Sequence, residues 1–251
     1  MTLLAVEGLC KRFGAVTAAR DMSFTVAPGE LLALIGPNGA GKSTVFNMVG
    51  GQLEPDAGRV VLAGEDITRL DARRRFRRGI GRTFQVAQTF ASMTVVENVQ
   101  MALISRAGET RRLLRPAAAL HREEALAALD QAGMADAADR PSSTLAYGDV
   151  KRVELAVALA SNPKLLLMDE PTAGMAPGER AALMELTARV ARERGIGVLF
   201  TEHDMDSVFA HASRILVLVR GEIVAGGSAE EVRANPRVRE AYLGRGTEGV
   251  R

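Results

Sequence analysis

The residues best spaced for chemistry stand in one run, Gly36-Pro37-Asn38-Gly39-Ala40-Gly41-Lys42-Ser43, followed by Thr44. The run fits G-x-x-x-x-G-K-[ST], in which a glycine-rich backbone wraps a polyphosphate. Successive N–H groups and the start of a helix then face the anion. Lys42 has the reach to meet β- and γ-phosphates, and the Ser43 hydroxyl suits Mg²⁺. A second constellation is Leu165-Leu166-Leu167-Met168-Asp169-Glu170, an apolar run that ends in two carboxylates. A carboxylate at the end of a buried strand is costly unless it is paired or bound to metal. The pattern casts Asp169 as a Mg²⁺ ligand and Glu170 as the group that polarises an attacking water. His203 follows another apolar run, at residues 198–201, and is placed to sense the same γ-phosphate. Gln85 ends a fourth short run, Gly81-Arg82-Thr83-Phe84. Phe13 can stack on a base, although core packing is the reading its sequence context favours by itself.

These residues need a frame. Residues 31–35 read as a buried strand and residues 43–49 as the helix behind the glycine loop, stopped by Gly50-Gly51. Upstream, residues 3–9 and 22–26 read as strands, with Lys11-Arg12-Phe13-Gly14 as a loop and Pro28-Gly29-Glu30 as a turn. Residues 59–67 read as a strand and turn at a sheet edge. The basic run Arg73-Arg74-Arg75-Phe76-Arg77-Arg78 reads as a solvated helix face, with headgroup or phosphate contact as the alternative. Residues 94–106 and 117–132 carry apolar residues at helical spacing, with Arg111-Arg112 and Arg115-Pro116 between them. His121 falls on the polar side of its helix as an ordinary surface residue. Helices follow at 150–160 and 178–194, then a strand at 198–201, a short helix, and a strand at 215–219 with a turn at Arg220-Gly221. A helical tail at 229–243 breaks near Asn235-Pro236. Strands alternating with helices predict a mostly parallel sheet with ligands at the strands' carboxyl ends.

Composition narrows the setting. With 251 residues and 47% hydrophobic content the chain can bury a large core. No apolar stretch approaches the roughly eighteen residues of a spanning helix. Met1-Thr2-Leu3-Leu4-Ala5-Val6-Glu7 lacks a basic segment and a cleavage site, so no signal peptide is expected. The single cysteine, Cys10, excludes an internal disulfide and suits a reducing cytosol. A net charge of +2 is too mild to argue for nucleic acid as a partner.

Together with Leu145-Ala146-Tyr147-Gly148-Asp149, these residues resemble the ATP-binding cassette family of transport ATPases. The likeness runs from Phe13 to the tail in the family's order: adenine-stacking aromatic, phosphate loop, glutamine loop, signature, acidic strand end, switch histidine. It implies a single α/β ABC ATPase domain over 1–251: a P-loop NTPase (RecA-like) core with a mostly parallel sheet and an antiparallel β edge subdomain. The catalytic core would span 1–88 and 160–251, and an α-helical insert at 89–159 would carry the signature. The resemblance implies ATP held by Phe13, residues 36–44 and residues 145–149. It implies Mg²⁺ held by Ser43, Gln85 and Asp169, with Glu170, His203 and Gln85 as catalytic groups. It implies a head-to-tail dimer with a second ABC ATPase subunit, identical or related, each ATP lying between one phosphate loop and the other's signature helix. Transmembrane permease subunits, indirectly a solute-binding protein, and a peripheral place on the cytoplasmic face of the plasma membrane follow from the same likeness.

Two departures stand out. Ala146 and Tyr147 replace the serine and first glycine of the usual Leu-Ser-Gly-Gly, so the serine hydroxyl is lost while backbone donors remain. Ala176 stands where the loop after the acidic strand usually has an aspartate. Leu-Ala-Tyr-Gly, Gly-Ile-Gly-Arg-Thr-Phe-Gln at 79–85, Thr-Glu-His-Asp-Met at 201–205 and Arg-Glu-Ala-Tyr-Leu-Gly at 239–244 look like branched-chain amino acid importers, with urea and amide importers close by. A non-transport ATPase of the same superfamily would carry two cassettes or a long coiled coil before the signature, and this chain has neither. A regulatory module that does not hydrolyse would not need both Glu170 and His203.

Overall fold

Residues 2–83, 89–108 and 120–239 are described by the computed structural model. The chain opens with β1 (Leu4–Phe13) and β2 (Val16–Val26), an antiparallel hairpin, and then enters β3 (Leu31–Ile35), buried at every position. Lys11, Arg12 and Phe13 belong to β1 and are not a loop. They pair with Ala19, Thr17 and Val16, so strand pairing overrides the turn signal of the following glycine. After α1 (Lys42–Gly50), β4 (Ala57–Leu62) and β5 (Glu65–Asp66) complete a four-stranded antiparallel sheet in the order β2-β1-β4-β5.

Helix α2 (Ala72–Arg78) carries the basic run and is capped by Asp71, which accepts the Arg74 N–H at 2.8 Å. Its face is not wholly solvated. Arg75 is 1% exposed and donates to the carbonyls of Met48, Val49, Thr68 and Leu70. Two of those carbonyls lie in the last turn of α1, where a helix presents partial negative charge. Burial pushes the Arg75 guanidinium down to about 10, still protonated at neutral pH.

Next come β6 (Ile80–Thr83), α3 (Val95–Ala107), α4 (Arg122–Gln131) and α5 (Tyr147–Ala160). Thr94 and Glu97 form a reciprocal capping box on α3. Helix α4 starts at Arg122, preceded by His121 in a left-handed conformation at φ 55, and residues 117–119 of the expected helix lie outside the described residues. His121 is half-buried, and its Nδ1 lies 2.8 Å from Glu124 Oε1. Helix α5 starts three residues earlier than predicted, which places Tyr147, Gly148 and Asp149 in its first turn. The sequence then runs through β7 (Leu165–Asp169), α6 (Pro177–Arg194), β8 (Gly197–Thr201), α7 (Met205–His211) and β9 (Arg214–Val219). Strand β10 (Glu222–Gly227) was not legible as a strand; it pairs antiparallel with β9 beyond the Arg220-Gly221 turn. Helices α8 (Ala229–Ala234) and α9 (Pro236–Val238) end the described chain.

The second sheet has the order β10-β9-β3-β8-β7-β6, parallel from β9 to β6. Strands β3, β7, β8 and β9 are buried on both faces, which explains their continuous apolar runs, whereas edge strand β10 is half-exposed. Leu32, Leu34, Leu165 and Leu167 pack toward α1 and the antiparallel sheet, against Phe46, Met48, Val6 and Val60. Leu31, Ala33, Leu166 and Met168 face the other way, against Leu155, Leu159, Leu183 and Met184 of α5 and α6. A third cluster joins α3, α4 and α5 through Val95, Val99, Leu129, Val153 and Ala156. Helix α5 therefore belongs to two cores at once. No helix among the described residues is long and apolar enough to cross a membrane.

Candidate nucleotide site

The phosphate loop leaves the buried end of β3. Gly41 has φ 108, and a Cβ there would meet the Ala18 carbonyl oxygen at 2.2 Å, so only glycine fits. Pro37, Asn38 and Gly39 are exposed, Ala40 is buried, and α1 begins at Lys42 with no side-chain cap on its free N–H groups. Lys42 is 8% exposed and donates its ammonium to the carbonyls of Gly36 at 2.6 Å and Pro37 at 3.2 Å. Burial lowers its pKa below the ordinary lysine value, and the charges of Glu170 and Asp169 pull it back up. Those two carboxylates thus share the electrostatic neighbourhood of the loop. Ser43 is exposed and Thr44 half-buried.

The acids stand at the carboxyl end of β7. Asp169 Oδ1 accepts the Thr201 hydroxyl at 2.8 Å, and its Oδ2 lies 3.7 Å from Arg82. Arg82 also donates to Asn47 Oδ1 of α1 at 3.0 Å; burial lowers its pKa, and Asp169 opposes that shift. Glu170 adopts φ 48, a left-handed conformation rare for a non-glycine residue. Its N–H is held by the Thr201 carbonyl at 3.2 Å and hydroxyl at 3.1 Å. His203 Nε2 lies 2.7 Å from Glu170 Oε1, so the two predicted groups meet. Gln85 lies outside the described residues, as do Phe84, Arg111, Arg112, Arg115, Pro116 and residues 240–244.

Phe13 sits at the tip of the β1–β2 hairpin, 51% exposed. It does not pack in the core, which corrects the reading its sequence context favoured by itself. The Lys11 ammonium stands 5.9 Å from its ring centroid. At the other motif, Leu145 is half-buried against the helical cluster, while Ala146 and Tyr147 are exposed and Asp149 half-buried. Gly148 is buried, and a Cβ there would come within 2.9 Å of Glu179 Oε1. The Tyr147 ring leans over Gly174 in the loop after β7, and the Lys151 ammonium lies 5.7 Å from its centroid. Ala176 offers α6 no side-chain cap; its N–H donates to Glu179 Oε2 at 3.3 Å.

Several participants were not singled out from the sequence. Arg82 had one faint signal, a cation inside a short buried strand. Thr172, Thr201 and Glu202 are ordinary polar residues until β7 and β8 are seen side by side.

This fold and site are those of a nucleotide-binding cassette. A family model described as ABC transporter matches residues 19–173, and the chain belongs to that family. A second model, described as branched-chain amino acid ATP-binding cassette transporter, matches residues 222–248. Among curated relatives, the high-affinity branched-chain amino acid transport ATP-binding protein LivG of Salmonella typhimurium is 41% identical over 249 residues, covering 96% of this chain and 98% of that protein. Among solved structures, an ABC transporter's ATP-binding cassette in its ADP conformation superposes with a TM-score of 0.87 at 34% identity, covering 97% of this chain and 99% of that one. A dimeric cassette in a post-hydrolysis state bound to ADP and Pi gives a TM-score of 0.76 at 26% identity, covering 90% and 99%.

Proposed function

We propose that this chain hydrolyses ATP to drive a membrane importer of branched-chain amino acids, at the cytoplasmic face and beside transmembrane permease subunits. The observation that carries it is the meeting of Lys42, Asp169 and the Glu170–His203 pair at the carboxyl ends of β3, β7 and β8. Likeness to LivG over 96% of the chain supports the solute class.

In this reading Lys42 exchanges two backbone carbonyls for the β- and γ-phosphates of ATP, while loop N–H groups and the start of α1 hold the remaining charge. Phe13 covers the adenine ring. Glu170 accepts a proton from the attacking water, and His203 fixes the Glu170 carboxylate and reaches the γ-phosphate. Ser43 and Asp169 would hold Mg²⁺, since a hydroxyl and a carboxylate are the hard oxygen donors that ion takes. Held by these two side chains, it would supply positive charge to offset that of the triphosphate. Gln85 is assigned to the same site by its motif alone. The start of α5, with Leu145, Ala146, Tyr147, Gly148 and Asp149, serves a second cassette's ATP through unclaimed backbone N–H groups. A helical unit over 89–159 moves with that contact, and a solute-binding protein supplies the permease.

Deleting the chain and measuring uptake of labelled leucine, isoleucine, valine and urea tests this. Loss of the three amino acids with urea uptake intact is the expected result. Loss of urea or amide uptake alone would reassign the solute, and unchanged uptake of all would remove the importer assignment.

A further inference from the structure

Three consecutive residues at the end of β8 reach across to the residues that follow β7. Thr201 bonds the Asp169 carboxylate and the Glu170 backbone, and His203 meets the Glu170 carboxylate. Between them stands Glu202, 3% exposed, to which the mechanism above gives no task. Its Oε1 accepts the Thr172 N–H at 3.0 Å and the Thr172 hydroxyl at 2.6 Å; its Oε2 accepts the His203 N–H at 3.2 Å. Among the described residues no cation pairs with it. A buried carboxylate is costly unless donors surround it, and here three neutral donors do so.

We propose that Glu202 is a positioning residue for ATP hydrolysis, tying the loop after β7 to the turn that carries His203. The proposal rests on the hydrolysis reading. The loop it holds is a chain of short turns, with Ala173 N–H bonded to the Glu170 carbonyl and Met175 N–H to that of Thr172. Glu170 enters this loop in its left-handed conformation, which persists only where neighbours over-determine it. Thr201 fixes one side of Glu170, and Thr172 on Glu202 fixes the other. Releasing Thr172 lets the loop relax and moves the Glu170 carboxylate off His203. The chemistry also explains an acid at 202 in place of an amide. Both oxygens must accept, and a glutamine would turn an N–H₂ toward the Thr172 or the His203 N–H.

The test compares Glu202→Gln, Thr172→Val and Thr172→Ser in the full chain assembled with its partner subunits. It reads kcat, KM for MgATP, equilibrium MgATP binding and melting temperature. Thr172→Val keeps the backbone bond and the side-chain shape, so it carries the test even where Glu202→Gln fails to fold. The expected result is a fall in kcat of about 10- to 100-fold in Glu202→Gln and Thr172→Val, the order that a misplacement of about 1 Å costs. MgATP affinity stays within about twofold of the parent, because only a contact that acts on the reacting geometry is lost. Thr172→Ser, which restores the hydroxyl, recovers kcat. The double variant Glu202→Gln with Thr172→Val falls no further than the worse single one, because the two residues form one unit. Parent-like kcat in both single variants, or equal loss in Thr172→Ser and Thr172→Val, overturns the role. A parent that binds but does not hydrolyse ATP overturns the reading beneath it, and this role with it.

Discussion

The end of β7 and the start of α5 both face a γ-phosphate in the proposed dimer, and they are built in opposite ways. At β7 every group is held: Asp169 by Thr201, Glu170 by Thr201 and His203, and the following loop by Glu202. At α5 little is held, since Ala146 gives no side-chain cap and both Ala146 and Tyr147 are exposed. Helices α2, α3, α7, α8 and α9 carry a side-chain acceptor at their N-cap, whereas α1, α4, α5 and α6 carry none, and of these α1 and α5 are the two assigned to phosphate. Free N–H groups are a cost in an isolated helix and a site when an anion arrives. In the proposed dimer, the contrast means that one half-site is completed within this chain and the other is left for a ligand brought by a second cassette.

The largest effect falls on the completed half. Lys42→Ala removes the main point charge on the triphosphate. Hydrolysis is lost, and ATP affinity falls about ten- to a hundredfold, the equivalent of about 1.5–3 kcal/mol for a charged hydrogen bond. Equilibrium binding of MgATP checks this, and an unchanged affinity would break the comparison at its stronger side. Phe13→Ala comes next. With Phe13 half out in solvent the melting temperature stays put, while KM for ATP rises roughly fivefold, the value of about 1 kcal/mol of ring stacking.

Smaller effects sharpen the open half. Ala146→Ser supplies the missing cap on α5 and stabilises the chain by about 1 kcal/mol, or roughly 2–4 °C in melting temperature. No gain in a thermal melt would mean that those N–H groups are already satisfied. Glu97→Gln in the capped helix α3 gives the control. Hydrogen bonds from the Thr94 backbone and hydroxyl hold the Glu97 carboxyl below its ordinary 4.5. A depressed acid contributes stability that is present above the unfolded value and lost as pH falls through the folded one. Parent and Glu97→Gln should therefore differ in melting temperature at neutral pH and converge in acid.

How much of this was legible varies with the range of the interaction. The positions of the glycine loop, the two acids and His203 at strand ends were readable, because each lies on a few consecutive residues beside an apolar run. The parallel sheet was readable for the same reason, since strands buried on both faces announce themselves. Arg75 was misjudged because a local run of arginines hides which one points inward, and that depends on the end of α1. Phe13 was misjudged by itself because an aromatic after an apolar strand usually packs, and only the hairpin tip exposes it. Strand β10 escaped notice because its apolar run after the Arg220-Gly221 turn is short and ends in two glycines, and β9 supplies its order through pairing. The left-handed Glu170 and the Glu202 anchor escaped because both depend on β8 lying next to β7, a pairing more than thirty residues apart in the chain.

The central claim is that this chain completes one half of each ATP site and borrows the other. Glu170→Gln keeps shape and binding but removes the base, so hydrolysis falls about a hundred- to ten-thousandfold while ATP stays bound. A closed dimer with the partner cassette then accumulates. Gly148→Asp, added to it, sets a carboxylate against Glu179 and against an incoming phosphate at the start of α5. Size exclusion with light scattering, in MgATP and in ADP, reads the result. The account predicts an ATP-dependent dimer in Glu170→Gln that disappears when Gly148→Asp is added. A chain that stays monomeric with every cassette partner, or a dimer indifferent to Gly148→Asp, would contradict it.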